Sequence, residues 1–138
     1  MVTGRGGANI YLNGLLLGSD PFTGSLSGVS GKTNYFGRSN TRGTPARFHG
    51  ELDEFRVWKT ARTEEQIRAT MFQRLTGREP GLAGLWNFDD PAQPGRDASA
   101  NGFHGELIGD ARNVAEELPP PAAIGQPSLF EGRVTDPE

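Results

Sequence analysis

The chain reads as an all-β, antiparallel protein with one short α-helix, and three observations lead there. Twenty Gly and ten Pro among 138 residues suit many turns between short strands, because Gly supplies positive φ and Pro pre-sets turn geometry. Asn13-Gly14 stands between two apolar runs, the strongest short-range hairpin signal. Only one segment, beginning at Thr63, carries a helical period.

The elements follow in order. Ile10-Tyr11-Leu12 and Leu15-Leu16-Leu17 are the two arms of the hairpin. Asp20-Pro21 and the small-residue tract from Gly24 to Lys32 read as turns or a long loop. Tyr35-Phe36-Gly37-Arg38 is a short strand candidate, and Phe48 to Trp58 is the longest one. In the latter, Phe55 and Val57 share one face while Leu52 and Trp58 share the other. Either both faces are partly covered or a bulge near Asp53 shifts the phase.

Thr63-Glu64-Glu65-Gln66 has the pattern of a capping box, with Thr and Gln side chains satisfying each other's backbone N–H. Ile67, Met71 and Leu75 recur at i, i+4 and i+8, with Glu64 placed to pair with Arg68. Gly77 and Pro80 are the expected stop. That stripe suits core packing better than a cofactor or membrane role. Leu82 to Phe88 reads as an apolar strand ended by Asp89-Asp90-Pro91, and Phe103 to Ile108 as a further short strand. Leu118-Pro119-Pro120-Pro121 opens a stiff Pro/Ala linker. The expected organisation is one sandwich over residues 1–115, with 116–128 as linker and 129–138 as the first strand of a following β-domain.

Composition narrows the function. The net charge is −3 and the fourteen basic residues are scattered, whereas a nucleic-acid binder needs a concentrated positive field. With no Cys, disulfides, Cys-based zinc sites and thiol nucleophiles are excluded. No apolar run approaches a membrane span, and no signal-peptide pattern stands at the N-terminus.

Four pieces in sequence resemble a known family. Asn9-Ile10-Tyr11-Leu12-Asn13-Gly14 resembles the "YVNG" hairpin of laminin-G-like domains, members of the concanavalin-A-like lectin/glucanase group, and Tyr35 to Ser39 resembles their "LGRS" strand. Phe48 to Trp58 resembles their closing "F-G-IDEVRIW" strand, and Thr60 to Ile67 the "ALSEEEI" start of a helix. Leu82 to Asp89 and Asp97 to Leu107 then resemble the family's opening motif, "LVGYWKFDE…DSSGNGNHGTL". The closing half (1–78) therefore precedes opening-type strands (79–115), and the middle "FDG–YV" strands are missing. The resemblance implies an antiparallel jelly-roll-type β-sandwich, incomplete or permuted. It further implies a non-catalytic module of a larger exported protein, extracellular, at a cell surface or periplasmic, with a glycan or protein ligand. A structural spacer without a ligand is the alternative, and a glycoside hydrolase remnant a third reading. Open sheet edges give such a chain a route to self-association.

The residues raise two chemistries. Some jelly-roll glucanases carry E-x-D-x-x-E or E-x-D-x-E, whose two Glu act as nucleophile and acid/base. Here Glu51 and Asp53 are present, but the second position is Phe55 or Arg56, so Glu51 lacks the partner that a two-carboxylate mechanism requires. No catalytic residue is expected. Asp89, Asp97 and Asn101, with Asp90 beside them, are the candidate calcium ligands, since calcium takes six to eight oxygens from such loops. The competing explanation is that Asp and Asn favour turns through local side-chain-to-backbone bonds. His49 and His104, each within Phe-His-Gly-Glu-Leu, are a weak zinc signal without Cys. Trp58, Trp86, Tyr11 and Tyr35 suit either sugar stacking or the core.

Overall fold

The structure, a computed structural model, describes residues 2–4, 6–23, 33–39 and 47–114. The linker and following strand expected at 116–128 and 129–138 lie outside the described residues, as does the tract 24–32. Within them the fold is all-β and antiparallel with one short helix: β1 (Val2–Gly4), β2 (Gly7–Leu12), β3 (Leu15–Asp20), β4 (Phe55–Trp58), α1 (Glu64–Thr70) and β5 (Leu82–Trp86). One sheet has the order β1-β2-β3 and the other pairs β4 with β5.

The hairpin is built as its sequence dictates. Asn13 and Gly14 take φ of 51° and 76°, the two positive values that a tight hairpin with right-handed strand twist demands. Leu12 then faces Leu15 and Tyr11 faces Leu16, with a bulge before Ile10 meets Gly18. Gly14 also sits against α1. A Cβ there would lie 2.6 Å from the Cγ of Arg68, so the turn needs Gly for space as well as for φ.

The strand expected over Phe48–Trp58 is shorter, spanning only Phe55–Trp58. Glu54 takes a φ of 48°, a left-handed conformation that interrupts an extended run. The carboxylate of Asp53 accepts from the Glu54 N–H at 2.8 Å. The phase change anticipated near Asp53 is thus a break in the strand. Tyr35 to Arg38 contributes only an isolated bridge, Arg38 to Arg47, and Phe103 to Ile108 forms no strand.

Helix α1 begins as the sequence predicts. Thr63 Oγ1 accepts from the Gln66 N–H at 3.3 Å, and Gln66 Oε1 accepts from the Thr63 N–H at 3.1 Å. It ends a turn earlier than the Ile67/Met71/Leu75 stripe implied, with Met71 as its C-cap. Arg56 caps that end. Its guanidinium donates to the Thr70 carbonyl at 2.6 Å and to the Gln73 carbonyl, taking up acceptors near the helix end. The same group pairs with Glu54 at 2.7 Å, both side chains being nearly buried. Arg56 therefore ties the break before β4 to the end of α1.

The core centres on β5. Leu82, Leu85 and Trp86 are buried, and Leu85 is fully so. β5 pairs with β4 antiparallel, Phe55 opposite Trp86 and Arg56 opposite Leu85. The opening-type strand thus lies beside the closing strand, and its apolar residues are buried there. Phe36 completes an aromatic cluster, its centroid 4.1 Å from that of Phe55 and 4.9 Å from that of Trp86. Gly84 leaves room for the Trp86 ring to lie back along its own strand. By contrast, Ile10, Leu12, Leu15, Leu16 and Leu17 on the first hairpin are all at least half exposed.

Candidate functional site

The polar groups concentrate in the stretch that follows β5, and the outer edge of β5 explains why. In antiparallel pairing alternate residues turn their N–H and C=O away from the partner strand. At Leu85 and Ala83 those groups are met by the loop 97–101. The Leu85 N–H donates to Asp97 Oδ1 at 2.9 Å, and the Leu85 carbonyl accepts from Ala98 at 2.7 Å. The Ala83 carbonyl accepts from Asn101 Nδ2 at 2.9 Å and from the Ser99 hydroxyl at 3.4 Å. The loop covers an edge that would otherwise stand open.

Asp97 organises that loop. It is only 2% exposed, and both carboxylate oxygens are occupied. Oδ1 also accepts from the Ser99 N–H at 2.8 Å; Oδ2 accepts from the Ser99 hydroxyl at 2.9 Å and the Phe103 N–H at 2.8 Å. Burial alone would raise the pKa of this carboxyl. The N–H groups of Leu85, Ser99 and Phe103 and the Ser99 hydroxyl outweigh burial and hold its pKa below the ordinary value. His104 Nδ1 accepts from the Asp97 N–H at 3.1 Å, which brings one of the two histidines to the hub. No shared site with His49 appears among the described contacts.

Asp89 belongs to a different set of partners. Its Oδ2 accepts from Arg74 at 2.6 Å and from Asn87 Nδ2 at 3.0 Å. This contact raises the pKa of Arg74. Asp90 caps the turn at Ala92 through a 2.9 Å bond, and lies 4.0 Å from Arg96. Among the described residues no group of three or more His, Cys, Asp or Glu is arranged to hold a metal ion. Of the three candidate calcium ligands, Asp97 and Asn101 both serve the β5 edge, whereas Asp89 faces Arg74.

Around Asp89 and Asp90 lies an open groove of about 400 Å³, lined by Thr76, Asn87, Asp89, Asp90, Pro91, Arg96 and Ala98. It offers carboxylates, an amide, a hydroxyl and a guanidinium within one concave surface. Asn87, Arg96 and Thr76 went unnoticed in the sequence. Asn87 had a signal, a polar residue directly after the buried Trp86, while Arg96 and Thr76 had none. Trp86 belongs to the core; its indole N–H is buried and unpartnered among the described residues. Trp58 is half buried, with the Arg62 guanidinium 4.1 Å from its ring centroid. Arg38 stacks likewise on Tyr35 at 4.9 Å, so both of these aromatic faces are engaged by cations.

The two positions at which the glucanase pattern would place its second Glu are Phe55 and Arg56. Phe55 lies in the aromatic cluster, Arg56 holds α1, and Glu54 is bound to Arg56.

A laminin-G model of the concanavalin A-like lectin/glucanases superfamily matches residues 1–68. The opening-type segment 82–107 lies beyond that match. No curated protein and no solved structure matches the chain. Among the described residues no helix is long and apolar enough to cross a membrane.

Proposed function

We propose, from the match of residues 1–68 to the concanavalin A-like lectin/glucanases superfamily, that the chain is a non-catalytic binding module. One observation carries the reading: the place where a glucanase of this architecture would need its second acid is committed to structure. Phe55 packs against Phe36 and Trp86, and Arg56 spends its guanidinium on Glu54 and two carbonyls at the end of α1. A two-carboxylate hydrolysis has no second carboxylate to use there. Fold alone does not separate lectins from enzymes on this architecture, so the side chains carry the argument.

The ligand surface we assign is the groove around Asn87, Asp89, Asp90 and Arg96. Its mix of acceptors and forked donors suits a polyhydroxylated ligand, whose hydroxyls both donate and accept. A glycan is therefore the preferred ligand class. The parent would be an exported multidomain protein, as the family resemblance implies, with residues 1–115 acting as one unit. The test is a glycan array, run with calcium and with chelator, on the wild-type chain and on Asn87→Ala and Asp90→Ala. Specific binding that both variants weaken supports the reading. Binding untouched by either would move the site elsewhere, and no binding at all would favour a structural spacer.

A further inference from the structure

Building on the glycan reading, we propose that the groove around Asn87 and Asp90 is one half of a longer track, and that its ligand is an uncharged oligosaccharide laid across Arg96 into a second groove. That second groove also has a volume of about 400 Å³, and Gln93, Pro94, His104, Glu106 and Leu107 are among its lining residues. Arg96 lines both. Each volume lies near the lower end of the range for ligand sites, so either groove alone suits a short piece of a chain.

Arg96 is placed to serve both sides. Its N–H donates to the Gln93 carbonyl at 3.0 Å, and the Gly105 N–H donates to the Gly95 carbonyl at 2.7 Å. Gly95 permits that closeness, since a Cβ there would run into the Gly105 carbonyl oxygen. Asp97, the next residue, is buried and anchored to β5 and to His104. The backbone of Arg96 is therefore fixed on both sides, while its guanidinium is uncommitted. Arg56 and Arg74 bond carboxylates at 2.7 and 2.6 Å, and Arg38 and Arg62 lie over aromatic rings. The Arg96 side chain makes no hydrogen bond among the described residues and stands 4.0 Å from Asp90, too far for one. A planar fork on a fixed backbone can donate to hydroxyls on either side of it.

Charge selects the ligand class. Across the two grooves Asp89, Asp90 and Glu106 stand against Arg96 and the Arg74 that pairs with Asp89. An acidic chain finds no concentrated positive field there, and a cationic one finds Asp89 taken and Asp90 beside Arg96. Donors and acceptors are mixed on both sides, Asn87 with Asp90 in one groove and Gln93 with Glu106 in the other. His104 Nδ1 accepts from the Asp97 N–H, so the neutral ring carries its proton on Nε2 and offers a further donor. Sugar hydroxyls fill both roles. Among the described residues no aromatic ring lines either groove, so each sugar adds little and affinity must come from length.

The experiment is calorimetric titration of the full chain with laminari-, cello-, manno- and N-acetylated chito-oligosaccharides, with alginate and chitosan oligomers as charged comparators. At least one uncharged series should bind, its affinity rising roughly tenfold between about two and six units. That binding should change less than about twofold between roughly 0.05 and 0.5 M salt. Gln93→Ala and Glu106→Ala each remove an exposed side chain and should cut the gain with length to about threefold or less. Asn87→Ala should weaken binding at every length. Equal affinity at all lengths, a gain that neither Gln93→Ala nor Glu106→Ala reduces, or a preference for a charged oligomer overturns the two-groove track and leaves the Asn87 groove in place. Binding by none of the oligomers overturns the track together with the glycan reading beneath it.

Discussion

Phe55 and Trp86 stand opposite one another across the β4–β5 pair, their ring centroids 6.0 Å apart and their planes inclined at 64°. This is an edge-to-face contact of the kind aromatic quadrupoles favour. It joins the segment within the family match to the segment beyond it. The two therefore stabilise each other, and losing Trp86 should be felt on both sides. Trp86→Ala is expected to cost roughly 3–5 kcal/mol, the range for a large aromatic removed from a core. Chemical denaturation of that variant, and of a chain ending at Gly81, should show lower midpoints in both. Unchanged midpoints would mean that β5 stabilises nothing in the first 81 residues.

The parts of this architecture that could be read from the sequence were those set by local chemistry. Asn13-Gly14 determines its own φ angles, and Thr63 with Gln66 closes a capping box within four residues. The burial of β5 was legible for a different reason: Leu82, Leu85 and Trp86 are too apolar to leave in water. Where an element's end depends on a distant side chain, the sequence was silent. The end of the helix at Thr70 is capped by Arg56, fourteen residues upstream, which donates to its carbonyl. The strand before β4 breaks at Glu54, a residue that ordinarily avoids positive φ. Phe103 to Ile108 has a strand's composition, yet the β5 edge beside it is taken by the side chains of Asp97, Ser99 and Asn101.

Asp97 offers a direct test through pH. Its carboxyl has a lowered pKa in the folded chain, so the folded state binds protons more weakly than the unfolded one in the acid range. Its stabilisation is complete above the unfolded carboxylate value of about 3.9 and is lost as pH falls through the lower folded value. Asp97→Asn exchanges an acceptor oxygen for an NH₂ and leaves either the Phe103 or the Leu85 and Ser99 N–H groups facing a donor. A buried unsatisfied group costs about 1–3 kcal/mol, so the variant should melt earlier at neutral pH. Its stability should also fall less steeply than the wild type's between pH 5 and pH 2. Parallel acid limbs for the two proteins would remove Asp97 from this role.

Calcium is the natural probe of Asp89, Asp97 and Asn101. A ligand that binds only the folded chain raises the melting temperature by mass action. Asp97 already accepts four hydrogen bonds, and Asp89 is paired with Arg74. A cation would have to displace those partners, so the expected shift between millimolar-range calcium and chelator is small or nil. A rise of several degrees, abolished by Asp89→Ala, would establish a calcium site at the groove.

The last prediction concerns Glu51. Glu51 is exposed, Asp53 is bonded to the Glu54 N–H, and Glu54 is held by Arg56 with both side chains nearly buried. Freeing Glu54 to serve as a second carboxylate would leave the Arg56 charge buried with only the carbonyls of Thr70 and Gln73. Breaking a buried pair in that way costs about 3–5 kcal/mol, a large fraction of a small domain's stability. The chain should therefore release no reducing sugar from laminarin, lichenan or agarose above a buffer blank. Replacing Phe55 with Glu should not create activity either, since it would bury a carboxylate between Phe36 and Trp86 and unfold the sheet. Wild-type turnover that disappears in Glu51→Gln would establish the hydrolase reading in place of the binding module.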